Sequence, residues 1–325
     1  MVGRRILLLG VSLSMCGASL AKERVASVRR IGLLGSVPSD PRDPAYVALL
    51  SELRRWGYVE GKNLLLMERS DDEHGALDAM ARELTAVPVD VIVAADNFAT
   101  AAARRATKTI PIVMISSGDP VGSGFVSSLA QPGGNVTGTA FFAPELKLKQ
   151  LDILIEGLGA PKRLGYVIHK DHRLVPRFMA RVKELQSAAS SRRIELREVY
   201  VDSSSLAETL ERLVHERVEG VVVEDYAAGE VSESELAALA VKMPLIMTSP
   251  YAARAGVLFT YGVNMVDLTR KSAEYVARLL GGARPSDLPV QLPTKFEFVI
   301  NLKTAESLGL QIPRALLLRA DQLVR

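Results

Sequence analysis

Eleven of the chain's side chains that could bind a small molecule stand at the ends of short apolar runs. Ser36 follows "RIGLLG", Asp96 and Asn97 follow "VDVIVAA", and Ser116, Ser117 and Asp119 follow "IPIVMI". Further along, His169 closes "RLGYVIH", Asp225 and Tyr226 follow "EGVVVE", and Ser249 and Tyr251 follow "PLIMT". Phe142, after "NVTGTAF", completes the set. Serine hydroxyls beside helix N-termini suit a carboxylate or another anion. Asp96, Asp119 and Asp225 suit an ammonium group or sugar hydroxyls. Phe142, Tyr226 and Tyr251, with Phe141, can stack on an apolar or aromatic body. Each acid has a plainer alternative as a helix N-cap or turn residue, and Asp119 before Pro120 fits that pattern well.

Other chemistries have weaker support. "GSGFVS" (122–127) is close to a dinucleotide loop, but serine replaces its third glycine and it follows the fourth apolar run, not the first. The first run leads into "GSVPSD", whose proline removes an N–H group that a phosphate loop needs. "DDEH" (71–74) and "HKDH" (169–172) hold three of the four histidines (74, 169, 172 and 215), at no recognised ligand spacing. No GxSxG elbow supports a serine hydrolase. The expectation is a binding site without metal or cofactor.

The 325 residues are 48% apolar and 24% charged, an ordinary globular composition, and the length favours two domains. The first 21 residues, "MVGRRILLLGVSLSMCGASLA", read as a secretory signal peptide: two arginines, a short apolar stretch, and Ser19 and Ala21 before the cleavage point. That places the mature protein in the periplasm. A second export reading uses "LSMC", with Cys16 as a lipid-bearing N-terminus; Met15 is bulky for the position before it. Cleavage after Ala21 removes the only cysteine and lowers the basic count from 40 to 38 against 37 acids. The mature chain then lacks a thiol for disulfide, metal or nucleophile chemistry, and its charge gives no argument for nucleic acid. No later apolar run is long enough to span a membrane.

What positions the candidate residues is a repeated strand–helix rhythm. Strands are expected at 30–37, 63–70, 89–96 and 110–116, with helical spacing between them, as in Tyr46, Leu49, Leu50, Leu53 and Trp56. The rhythm restarts near 145, with strands at 163–169, 194–201, 219–225, 244–249 and 257–263. Short β-branched runs of this kind suit strands buried on both faces. The fold class is α/β, with two doubly wound parallel-sheet lobes joined by a hinge. Ligands of such sheets bind beyond the strands' carboxyl ends, where the candidate residues stand. The last 45 residues supply a strand in "KFEFVINL", a short helix and a final helix over "IPRALLLRADQLV".

Three segments then carry a resemblance. "GYVEGKNLLLMERS", "IPIVMISSGDPVGSGFVSSLAQPGGNVTG" and "DLPVQLPTKFEFVINLKTAESLGLQIP" resemble the exported solute-binding proteins of ABC transporters. The branch is the one whose best-understood members bind tryptophan and other aromatic amino acids. The resemblance runs from about Ile31 to Leu323. It implies a type I periplasmic-binding-protein fold, with lobe 1 formed by 28–138 plus about 262–290 and lobe 2 by 139–261 plus about 291–325. It also implies that the glycine-rich run is the loop and helix after strand four, with Gly133, Gly134 and Gly138 supplying turns and close packing near the first crossover. The chain departs from the branch at three ligand-proximal places: "ADNFATAA" (95–102), "VIHKDHRL" (167–174) and "EDYA" (224–227) stand where aromatic-amino-acid binders show "ATPAAQ", "YN" and "DN". A small polar or zwitterionic solute fits these differences.

The expected activity is capture without chemistry. Ser36, Asp96, Asn97, Ser117 and Asp119 hold the solute on one lobe, and Phe142, His169, Asp225 and Tyr251 close from the other. The implied partner is an ABC permease with a separate ATPase subunit, and monomer is the default state for a shuttling receptor. A periplasmic sensor using the same closure is an alternative, and an exported two-domain enzyme using Asp96 and His169 is another.

Overall fold

In a computed structural model, residues 28–36, 38–71, 75–141, 145–171, 176–202, 205–224, 227 and 232–325 are described. The signal peptide with Cys16, and the candidates Phe142, Asp225 and Tyr226, lie outside them, as do His74 and His172.

The apolar runs form strands as their β-branched composition requires. In the first lobe these are β1 (Arg29–Gly35), β2 (Leu64–Ser70), β3 (Val91–Ala94), β4 (Ile112–Ser117) and β5 (Val136–Ala140), in the order β2-β1-β3-β4-β5 with every pairing parallel. Helices cover both faces. On one side α2 (Leu77–Ala86) and α3 (Asn97–Ala106) bury Leu77, Ala81, Leu84 and Ala99 against Leu34, Ala94 and Met114. On the other, α1 (Pro44–Arg55) and α9 (Met265–Leu280) bury Leu49, Leu53, Ala273 and Val276 against Leu33 and Val93.

The second lobe has β6 (Arg163–His169), β7 (Glu195–Val201), β8 (Val221–Val223), β9 (Leu245–Met247), β10 (Phe259–Val263), β11 (Phe296–Asn301) and β12 (Gln322–Val324), in the order β12-β11-β10-β9-β8-β6-β7. The helices α4 (Leu146–Leu158), α5 (Pro176–Ser191), α6 (Leu206–His215), α7 (Glu233–Ala240), α8 (Tyr251–Arg254), α10 (Leu302–Ser307) and α11 (Arg314–Arg319) accompany it.

Three expectations need correction. The sheet of the second lobe is not wholly parallel, because β10 and β11 pair antiparallel. The final helix stops at Arg319, and Gln322–Val324 instead pairs in parallel with β11; Phe298 N–H donates to Asp321 Oδ2 at 2.7 Å and fixes that turn. Residues 118–135 form turns, not a loop and helix. Pro120 takes Phe125 N–H on its carbonyl at 2.8 Å, Asp119 Oδ1 takes Gly122 N–H at 2.8 Å, and the glycines and prolines between offer no helical run. The chain thus passes from β4 to its neighbour β5 without a helical crossover. Gly138 in β5 shows why glycine is needed there: its φ is 129°, and a Cβ would stand 2.1 Å from the Met114 carbonyl oxygen.

The chain passes between the sheets three times. It leaves β5 for α4, returns from β10 to α9, and leaves again after Gln291, which bridges Thr139, to enter β11. Asn264 stands at the second passage. Its Oδ1 accepts Asp267 N–H at 2.8 Å to cap α9, and its Nδ2 donates to Glu297 Oε2 on β11 at 3.3 Å.

Candidate functional site

The carboxyl ends of β1, β3 and β4 form one hydrogen-bonded ledge built from sequence-predicted residues. Asp96 Oδ2 accepts from Ser36 N–H at 3.0 Å and Ser36 Oγ–H at 2.6 Å, while its Oδ1 accepts Ala99 N–H at 2.8 Å and caps α3. Asn97 Oδ1 accepts from Ser117 Oγ–H at 2.9 Å, and Ser116 Oγ donates to the Ala95 carbonyl at 2.9 Å. Both oxygens of Asp96 are thereby committed within the lobe, as the N-cap alternative requires, and Asp119 caps its own turn. The ledge ties three strands together, and its polar atoms point at one another.

The open space lies one residue earlier along each strand. A cavity of about 330 Å³ is walled by Gly35, Ala95 and Ile115, the immediate predecessors of Ser36, Asp96 and Ser116. Successive strand residues face opposite sides of a sheet, so this offset by one moves the cavity to the α1/α9 face. Leu33, Leu49, Val93 and Met265 give it an apolar floor. Its rim comes from the segment between β1 and α1, the first turn of α1 and β2: Ser39, Asp40, Asp43, Tyr46, Glu68 and Arg69. Volume and lining fall in the range of small-molecule sites, with an apolar body and a few polar groups.

Local sequence explains each rim residue. Asp43 precedes Pro44 at the first position of α1, and its Oδ1 takes Ala45 N–H at 2.6 Å and Tyr46 N–H at 3.3 Å. Glu68 follows the apolar part of β2, and its Oε1 accepts Ser39 N–H at 2.5 Å, pinning the β1–α1 segment over the cavity. Arg69 turns away to Glu83 Oε2 at 2.8 Å, and Asp40 pairs with exposed Arg42 at 3.0 Å. The Tyr46 phenol is held above its usual range by burial, with the charges of Glu60 and Glu68 adding to it.

The second lobe reaches this rim through Tyr251, whose hydroxyl donates to Asp43 Oδ2 at 3.3 Å. Its phenol is likewise pushed up, first by burial and then by the charge and hydrogen bond of Asp43. Tyr251 is the predicted site residue that the structure brings to the cavity from across the cleft. His169 lies buried at the end of β6, where its Nδ1 accepts Asp171 N–H at 3.4 Å, and Ser249 stands between β9 and α8.

A sequence model for the family described as ABC transporter substrate binding protein matches residues 30–324. The chain belongs to this family. A tyrosine-binding protein of Clostridioides difficile (strain R20291) is 26% identical over 287 residues, covering 87% of this chain and 81% of the relative. Among solved structures, a conserved domain protein of Vibrio cholerae O1 biovar El Tor is 26% identical, covers 91% of this chain and 100% of its own, and has a TM-score of 0.77. An ABC domain from Streptococcus pneumonia in complex with L-Trp gives 24% identity, 92% and 100% coverage, and a TM-score of 0.78, and so shares the fold.

In this substrate binding protein the second lobe also carries a buried polar cluster under its cleft-facing edge. Lys147 of α4 pairs with Glu224 at 3.5 Å, with the two side chains 4% and 11% exposed, and donates to Thr248 Oγ1 at 3.2 Å. Tyr166 donates to Glu224 Oε1, and Gln150 Nε2 donates to the Tyr261 carbonyl at 2.8 Å. Burial pushes the Tyr166 phenol well above its usual range, and the Glu224 charge adds to this. The sequence reading passed over this cluster, because Lys147 and Gln150 look like ordinary polar positions on a helix. It also passed over Ser39, Asp43 and Glu68. A signal for Glu68 was available in the charged end "MERS" of an otherwise apolar strand.

Among the described residues no helix is long and apolar enough to cross a membrane, and no group of three His, Cys, Asp or Glu could hold a metal ion.

Proposed function

We propose that the protein is the exported solute-capturing subunit of an ABC importer, and that its solute is a small molecule of the amino-acid class. The cavity at the strand ends of the first lobe receives the solute. Closure about the crossings near Ala140, Asn264 and Gln291 brings the second lobe over it, and the loaded form docks on a permease driven by a separate ATPase. The solute leaves unchanged, so the protein is not an enzyme.

The observation that carries this reading is the cavity's position: its apolar floor lies at the carboxyl ends of β1, β3 and β4, and Tyr251 of the other lobe reaches its rim. Relatives named for tyrosine binding or solved with L-Trp support the amino-acid class. The packing of α9 on the first lobe and the pairing of β11 in the second support the lobe assignment, 28–138 with about 262–290 against 139–261 with about 291–325. Residues 1–21 supply the export signal and a periplasmic location.

Titration calorimetry with the common amino acids, and with sugars as controls, tests the reading. One or a few amino acids are expected to bind at a single site, raise the melting temperature by mass action, and be recovered unchanged. Binding of sugars alone, or turnover of the bound compound, refutes it.

A further inference from the structure

We propose that the cavity recognises its solute through an ammonium group, and that it takes an amine with an apolar body at least as well as the matching amino acid. This rests on reading the cavity as the solute site. Asp43 and Glu68 stand on its rim, and among the described residues neither is in an ion pair. Each has one oxygen engaged by backbone N–H groups, Asp43 Oδ1 by Ala45 and Tyr46 and Glu68 Oε1 by Ser39, which aims and fixes the carboxylate. Asp43 Oδ2 also accepts the Tyr251 hydroxyl at 3.3 Å and keeps a second lone pair for a cation. The Tyr46 phenol beside Glu68 adds an oxygen that can accept from a cation.

The groups that could hold a carboxylate in the same space are already committed. Arg69 is the only cationic side chain in the described wall, and it donates to Glu83 Oε2 and to the Glu68 carbonyl, both at 2.8 Å. The N-terminus of α1 opens toward the rim, but Asp43 occupies its Ala45 and Tyr46 N–H groups and neutralises the positive end of the helix. Among the described lining residues, an anion entering the cavity would meet two carboxylates and no free donor cation. An ammonium would meet two acceptors above an apolar floor of Leu33, Leu49 and Val93. A zwitterion must then turn its carboxylate to the mouth, where it gains little from this lobe. By the contacts this lobe offers, removing that carboxylate costs less affinity than removing the amine, which is the recognised group.

Calorimetry at one fixed salt concentration tests this with three matched sets: tyrosine, tyramine and 3-(4-hydroxyphenyl)propionate; tryptophan, tryptamine and indole-3-propionate; phenylalanine, phenethylamine and 3-phenylpropionate. The expected order is amine equal to or tighter than amino acid, with the acid weaker by about a hundredfold. Glu68→Gln keeps an oxygen for Ser39 N–H and should weaken the amine by about tenfold with little change in melting temperature. Asp287→Asn, at an exposed pair with Arg284 far from the cavity, should leave the affinity unchanged. If the amino acids bind about tenfold or more tightly than their amines, or Glu68→Gln leaves amine affinity within about twofold, the ammonium proposal is overturned while the amino-acid reading stands. If no member of any set binds while another amino acid does, the proposal of an amine with an apolar body is overturned. If no amino acid and no amine binds at all, both fall together.

Discussion

Replacing Tyr251 by phenylalanine removes one hydroxyl and the side-chain hydrogen bond from α8 to the rim of the cavity. The bond is 3.3 Å long, beyond the usual range for O–H···O, and Tyr251 is 45% exposed. A hydrogen bond to a charged group is worth about 1.5–3 kcal/mol when short and buried; length and solvent bring this one to about 0.5–1 kcal/mol. On the proposed closure the bond forms only when the lobes are together, so it would bias closure without holding the fold. Tyr251→Phe should therefore weaken solute affinity by about two- to fivefold, raise the radius of gyration of the unliganded protein in solution scattering, and leave the melting temperature unchanged. Asp43→Asn keeps the cap of α1, since asparagine caps as well as aspartate, but offers a neutral acceptor. In that background the effect of Tyr251→Phe should shrink, which a double-mutant cycle reads directly. An unchanged affinity refutes the latch. A loss of equal size in both backgrounds refutes it too, and assigns Tyr251 a direct contact with the solute instead.

Three other perturbations have expected outcomes. Gly138→Ala sets a Cβ against the Met114 carbonyl at a positive φ and should cost about 3 kcal/mol or more in urea unfolding; Gly134→Ala, with open space around it and an ordinary φ, should stay within about 0.5 kcal/mol. Equal costs at the two positions would show that the close approach of β4 and β5 is not what demands glycine. Glu224→Gln leaves the Lys147 ammonium buried without its counter-charge and should cost about 3 kcal/mol, with Lys147→Met in the same chain restoring most of it; an additive double variant would contradict the pairing. Tyr166, raised well above 10 by burial and by Glu224, contributes stability that is fully present below pH 10, its unfolded value, and is lost as pH rises through its folded value. Thermal unfolding across the alkaline range should show that loss, and Tyr166→Phe should flatten it; an identical slope in both proteins would locate the effect elsewhere.

The strands were legible because their burial is written in their composition. Val91, Ile92 and Val93 are enclosed on both faces of the first sheet, and a run of β-branched residues bounded by turn residues has few other uses. The β12 strand was not legible, because "DQLV" has no alternation of its own and becomes a strand only when β11 offers it an edge. The same distinction separates the two halves of the site. Asp96, Asn97, Ser116 and Ser117 were found because they follow obvious strands, and the structure does place them together. Their hydrogen bonds stay within the lobe, however, and a sequence states which residues end a strand without stating which of the two faces is hollow.

That choice of face follows from a parity argument that no composition reveals. The cavity belongs to Gly35, Ala95 and Ile115, and their small or apolar side chains look unsuited to binding. Gly35 and Ala95 leave room because they are small, and the polar groups come from elsewhere: Asp43 from a helix cap, Glu68 from the far end of β2, Tyr251 from the other lobe. Asp43 illustrates the difficulty best. Read alone, an aspartate before proline at a helix start is a cap and nothing more, and one of its oxygens does that work on Ala45 and Tyr46. The second oxygen is spare after capping, and the fold turns it toward the cleft, where Tyr251 finds it. At Asp96 the second oxygen is spent on Ser36. Two aspartates with the same capping role thus differ in where their second oxygen goes, across the cleft at Asp43 and within the lobe at Asp96, and Asp43→Asn should accordingly alter solute affinity while Asp96→Asn should alter stability.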